Sequence, residues 1–144
     1  MDFERLVKAA PQFKALQQQL AQQFGQRSKE LENSQKALER DLENFRRDST
    51  VMGAGELERK QAELKRRDLD FQRERRELQE DFNIAQNEGM GKLQREILVA
   101  IQDYAEKKKY DLLVSGGVSV GVLYASDKAD ITDDLLKAVE KAAR

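Results

Sequence analysis

Apolar residues fall at Phe13, Leu16, Leu20, Phe24, Leu31, Leu38, Leu42 and Phe45, spaced by threes, fours and sevens, with Gln, Lys, Glu and Arg between them. Such spacing gathers them on one narrow stripe and predicts a long helix from Pro11 to Arg47. Proline suits its first turn, where a missing N–H costs nothing. The next stretch, Asp48-Ser-Thr-Val-Met-Gly-Ala-Gly55, collects turn formers and two glycines and predicts a reversal. A second stripe then runs through Leu57, Leu64, Phe71 and Leu78 at strict sevens, then Phe82, Leu93, Ile97, Ile101 and Tyr104. It predicts a helix from Glu56 to Lys108, weakened locally by Gly89 and Gly91.

Two facing stripes predict an antiparallel coiled-coil hairpin. Its seam is thin, because Lys60 or Gln61, Asp68 and Arg75 occupy positions where a second apolar residue per heptad would sit. Each buried Leu or Phe supplies only about 1.5–3 kcal/mol, so this part of the hairpin is loosely held. The helices also differ in length, roughly 55 Å against roughly 80 Å at 1.5 Å per residue. Folding at the reversal leaves Lys92 to Tyr104, rich in Leu, Ile and Val, beyond the reach of the first helix. Something else must cover Leu93, Ile97, Leu98 and Ile101.

Downstream, Leu112 to Ser126 reads LLVSGGVSVGVLYAS and carries no charge. Tyr110 to Val114 predicts one short strand and Ser115-Gly116-Gly117 a turn. Val118, Val120, Val122 and Tyr124 alternate with Ser119, Gly121 and Leu123, the period of a second strand with one apolar face. Two strands alone are marginal in water. Thr132 reads as an N-cap, with Asp133 and Asp134 in the first turn of a final helix over 132–143. The predicted fold is α+β and predominantly helical. A hairpin arm over 12–92, with its tip near 48–55, is carried by a small body of 1–11 and 93–144. That body contains the β-hairpin 110–124 and the C-terminal helix. Self-association would pair the strand edges and cover the apolar face, placing Leu93, Ile97, Leu98, Ile101, Leu112, Val114, Val118, Val120, Val122 and Tyr124 at a subunit interface.

Composition narrows the function. Only 39% of the residues are hydrophobic and 37% are charged, too polar for a large single-chain core, while the helical spacing argues against disorder. Basic and acidic residues number 26 and 27, so no global field draws the chain onto nucleic acid or an anionic bilayer. Histidine and cysteine are absent, removing the commonest general base and the usual zinc ligands. Gly116, Gly117 and Gly121 match no phosphate-binding pattern. Neither an enzyme nor a cofactor is expected. No apolar run is long enough to span a membrane, and Met1-Asp2-Phe3-Glu4 is not the start of an export signal.

Several stretches resemble the OmpH/Skp family of periplasmic chaperones. They are Tyr110-Asp-Leu-Leu-Val, Asp130-Ile-Thr-Asp-Asp-Leu-Leu-Lys-Ala-Val139, Arg5-Leu-Val, Pro11-Gln-Phe-Lys, and Asn87-Glu88 followed by Lys92-Leu93. The resemblance implies a homotrimer whose helical arms surround a cavity that holds unfolded outer-membrane proteins in the periplasm without ATP. The family pattern has a signal peptide and an apolar strand before the position of Asp2, where Met1 alone stands here. It also admits a peripheral contact with membrane or lipopolysaccharide. The Arg-rich run linked to that contact in some members is replaced by Phe82-Asn-Ile-Ala85, so the site is not carried over.

Client contact is expected at the tip, where Phe45, Val51 and Met52 have little local structure to bury them. Arg46, Arg47, Arg59, Lys60, Lys65, Arg66 and Arg67 surround them, giving residues 45–67 a net charge of +3. Methionine adapts to varied partners, and a basic tip attracts acidic chains most strongly at low salt. The competing reading is a coiled-coil scaffold whose arms bind one defined partner, with the tip charges merely solvating a helix.

Overall fold

The computed structural model describes residues 1–116 and 122–143. Its elements in chain order are α1 (Phe3–Ala9), α2 (Pro11–Asp48), α3 (Ala54–Lys108), a 3-10 turn (Asp127–Ala129) and α4 (Thr132–Ala142). The chain divides into two compact units, one of Met1–Gln19 with Gln86–Arg144 and one of Leu20–Ala85.

The first unit begins with α1, which lies outside both predicted stripes. Asp2 caps it by accepting a hydrogen bond from the Arg5 N–H at 2.9 Å, with Glu4 in the first turn and Lys8 in the last. It stops at Ala10, whose ψ of 136° is the extended conformation required before Pro11. One face of α1 then supplies Leu6, Val7 and Ala10 to a core shared with Leu93, Ile97, Ala100 and Ile101 of α3 and Leu135 and Val139 of α4. Ile97 has no exposed surface at all. The apolar stretch of α3 is therefore covered from within the chain, and Leu93, Ile97 and Ile101 are not left for a second copy to shield. Leu98 and Val99, at 47% and 57% exposure, face away from this core.

The stretch Asp130-Ile-Thr132 ties the two ends of this unit together. Thr132, predicted as an N-cap, is instead the first residue of α4 and is buried. The capping function falls to Asp130, whose Oδ1 accepts from both the N–H and the hydroxyl of Thr132, at 3.0 and 2.5 Å. The same hydroxyl oxygen accepts the Asp2 N–H at 2.7 Å, joining α4 to the start of α1. The two bonds from Thr132, hydroxyl first, hold the Asp130 carboxyl below the ordinary aspartate value, and the N-terminal ammonium and Arg5 add to the effect.

Residues 110–116 and 122–124 form no strand, which corrects the expected first strand Tyr110 to Val114. Two backbone groups of this segment pair with Met1, whose ammonium donates to the Val114 carbonyl at 3.3 Å and whose carbonyl accepts from the Gly116 N–H at 2.6 Å. Among the described residues no strand offers an edge to pair with, and short isolated strands are marginal in water. Val118 and Val120, the centre of the second predicted strand, lie outside the described residues.

In the second unit, α2 and α3 form a hairpin closed by Ser49–Gly53, within the predicted reversal. Its register is fixed by cross-helix pairs. Arg67 binds Asp41 at 2.7 Å, Arg27 binds Asp81 at 2.8 Å, and the rings of Phe24 and Phe82 meet edge to face at 5.5 Å. Only Leu20, Phe24, Leu38 and Leu64 are buried in this unit, which matches the thin seam read from the sequence.

Candidate functional site

The tip is set by helix ends. The Ser49 N–H reaches the Phe45 carbonyl at 2.9 Å and the Leu57 N–H reaches that of Gly53 at 2.9 Å, so the last turn of α2 and the first of α3 close on five linking residues. Those residues have no interior to enter. Val51 is 86% exposed, while Phe45 and Met52 are half-buried.

The basic residues around them divide by partner. Arg67 is spent on Asp41, whose carboxyl its hydrogen bond holds below the ordinary range. Lys60 pairs with Glu63 at 3.4 Å, and Arg47 bonds Asn44 at 2.7 Å and lies 3.8 Å from Asp48. Arg59 donates to the Gly55 carbonyl at 3.2 Å. Arg46, Lys65 and Arg66 are exposed and form no ion pair among the described residues. The predicted cluster thus contains three free cations, one cation that braces the hairpin, and others engaged locally.

Two apolar features escape a reading by periodicity. Leu69 and Ile84 are more than half exposed on α3, off the heptad stripe. Near the other end of the arm unit, the seam opens between Phe24 and Leu31 into a slot of about 450 Å³. Its walls are Leu20, Phe24, Leu31, Leu78 and Phe82, with Ser28, Arg75 and Gln79 as polar members. The visible signal was Gly25 beside the stripe, at which an added Cβ would meet nothing within 4 Å.

Among the described residues of the first unit, large apolar side chains are exposed at Leu98, Val99, Tyr110, Leu112, Val114, Leu123 and Tyr124, with Val122 half-buried. Exposure of Leu123 and Tyr124 exceeds 80%, unusual for such side chains in a finished surface. No described helix is long and apolar enough to cross a membrane.

Comparison with known proteins accords with this architecture. The profile of the family described as outer membrane protein (OmpH-like) matches residues 1–139. Chaperone protein Skp of Yersinia enterocolitica is 24% identical over 140 residues, covering 97% of this chain and 84% of that protein. Skp of Pectobacterium atrosepticum is 25% identical over 135 residues, covering 94% and 80%. A crystal structure from Caulobacter crescentus, described as a candidate OmpH-like outer membrane chaperone, superposes with a TM-score of 0.80 at 22% identity, covering 96% of this chain and 80% of that one. These curated relatives carry the name of a chaperone and not of an enzyme. With the family profile spanning all but the last residues, the chain belongs to the OmpH-like outer membrane protein family.

Proposed function

We propose that this protein is an ATP-independent holdase that binds unfolded outer-membrane proteins in the periplasm, in a cavity between the arms of a homotrimer, and so prevents their aggregation. The observation that carries the reading is the arm unit's surface, where Val51, Leu69 and Ile84 are exposed along helices that also carry the exposed cations Arg46, Lys65 and Arg66, unpaired among the described residues. An unfolded client presents unsatisfied apolar segments that aggregate with one another. Many weak apolar contacts hold such segments yet release them without a fuel cycle, and cations draw in acidic chains. The thin seam supports a bending arm that adapts to different clients.

Assembly is supported by the first unit. Leu98, Leu112, Val114, Val122 and Tyr124 are the interface candidates that retain exposed surface, and burying them between copies removes a cost that one chain leaves unmet.

The test is breadth of binding. Several unrelated unfolded outer-membrane proteins and one soluble unfolded protein are diluted from denaturant with the chain, and light scattering is followed. Suppressed aggregation of the membrane proteins, near one client per trimer, supports the reading. If none is kept soluble, the chain is a scaffold for one defined partner. Reversing the unpaired Arg46, Lys65 and Arg66 to Glu should weaken capture of acidic clients at low salt and leave the oligomer intact, and unchanged capture would remove the electrostatic part of the mechanism.

A further inference from the structure

The slot beside Gly25 differs from an ordinary gap in a coiled coil in three ways. It is large, about 450 Å³, within the range of sites that take a ligand group. Glycine lines it at position 25, where no side chain occupies the wall and an added Cβ would meet nothing within 4 Å. Its charge is also one-sided. Arg75 is the only charged residue in its lining and makes no ion pair among the described residues. The neighbouring cleft that shares Leu31 and Leu78 is lined instead by Glu30, Glu74 and Glu77 together with Arg27.

Shape limits the occupant. The Phe24–Phe82 pair walls one end, and Leu31 with Leu78 walls the other. Seven residues of helix separate Phe24 from Leu31, about 10 Å of rise. A compact aromatic or branched side chain fits between such walls, whereas an extended acyl tail overruns them. Beside the opening, the Arg75 guanidinium offers a forked donor matched to a carboxylate, and Ser28 adds a hydroxyl for backbone groups.

From this geometry we infer that the Gly25 slot is an anchor for an unfolded polypeptide, taking one bulky apolar side chain whose neighbour in sequence is acidic. The inference rests on the holdase reading and adds to it a defined subsite with a sequence preference. Exposed residues near the tip bind by many interchangeable contacts. The slot instead selects a short Asp-Phe type of element.

The probes are three labelled ten-residue peptides of Gly and Ser, carrying Asp-Phe, Lys-Phe or Asp-Ala at the centre, titrated with the full chain and followed by fluorescence anisotropy. Asp-Phe should bind best. Gly25→Leu adds a branched side chain to the slot's wall from a Cβ that meets nothing within 4 Å and favours the helix, so it should melt no lower than the parent and bind Asp-Phe at least about tenfold more weakly. Gly25→Ala, which leaves most of the slot open, should retain binding. Arg75→Glu should invert the preference toward Lys-Phe. Equal affinity of the parent and Gly25→Leu for Asp-Phe overturns the anchor, as does equal uptake of Asp-Ala. Decanoate bound by the parent, and excluded by Gly25→Leu, with no peptide uptake overturns it in favour of an acyl ligand. Client aggregation is measured in parallel. Failure of the parent to suppress it sinks the holdase reading, whereas equal protection by the parent and Gly25→Leu sinks the anchor alone.

Discussion

Gly89 and Gly91 look equivalent in sequence, two helix-weakening residues on either side of Met90, yet their surroundings differ. A Cβ at Gly89 would collide with Leu16 Cδ1 and press on Cγ at 3.3 Å, so this glycine lets α2 and α3 approach within the first unit. A Cβ at Gly91 would meet only Arg95 Nη1 at 3.5 Å, an ordinary contact. Replacing glycine by alanine inside a helix contributes about 0.8–1 kcal/mol of stability, whereas overpacking costs typically about 1–3 kcal/mol. Gly91→Ala should therefore raise stability by nearly the full helix term, and Gly89→Ala should leave it unchanged or lower it by up to about 2 kcal/mol. Urea denaturation of both variants checks the contrast, and equal stabilisation would show that Leu16 moves aside freely. This difference was not legible in the sequence, since it depends on which residue of the other helix arrives opposite each glycine. Thr132 teaches the same point. Its type and place suggested a cap, but the partner that decides its role, the Asp2 N–H, lies 130 residues away.

Among the elements, the two long helices were legible almost to the residue, because periodicity and breakers are local signals. Observed ends at Asp48, Ala54 and Lys108 fall within two residues of those expected. Helix α1 was missed because seven residues are too few to display a period. Strand formation in 110–114 was not decidable locally either, since a strand needs an edge to pair with and here the Val114 carbonyl and the nearby Gly116 N–H pair with Met1. Two helix ends can be tested directly, the stop of α3 and the start of α4. At the end of α3, Lys109 adopts φ of 60° while the Tyr110 N–H bonds the Ala105 carbonyl at 3.0 Å, a helix stop that glycine favours. Lys109→Gly should relieve left-handed strain and raise thermal stability by about 1 kcal/mol, and a lower melting temperature would refute that strain. The second concerns Asp130. Its carboxyl titrates lower in the folded chain than the ordinary value of about 3.9. Its contribution is thus complete above that value and is lost as pH falls through the lower, folded one. Between pH 7 and pH 3 the urea midpoint of the parent should fall further than that of Asp130→Asn. Coincident acid limbs would mean that the Thr132 bonds are indifferent to the charge.

For the whole molecule, the sequence showed correctly that the apolar stretch of α3 requires a cover, but not whose. Counting apolar residues treats α1 and α4 as too slight to matter. Packed together, they bury Leu93, Ile97 and Ile101 completely enough that one chain keeps its own core. The proposed assembly therefore rests on a narrower surface than the sequence suggested, the outer face of α3 and the described ends of the uncharged segment, where Leu98, Leu112 and Tyr124 are exposed. This separation of core from interface makes assembly testable without unfolding the protomer. In a variant carrying Leu98→Asp and Leu112→Asp, no residue of the shared core changes. Its helical circular dichroism should match that of the parent, while its mass by light scattering should fall from that of the proposed trimer to the 16.6 kDa of one chain. Each lost Leu contact is worth about 1.5–3 kcal/mol, so the pair should raise the dissociation constant by more than about a hundredfold. Holding of clients should fail with it, because weak contacts on a single arm lack the effective concentration that several linked arms provide. A variant that stays assembled would move the interface to other residues. One that dissociates and still protects clients would show that each arm works alone.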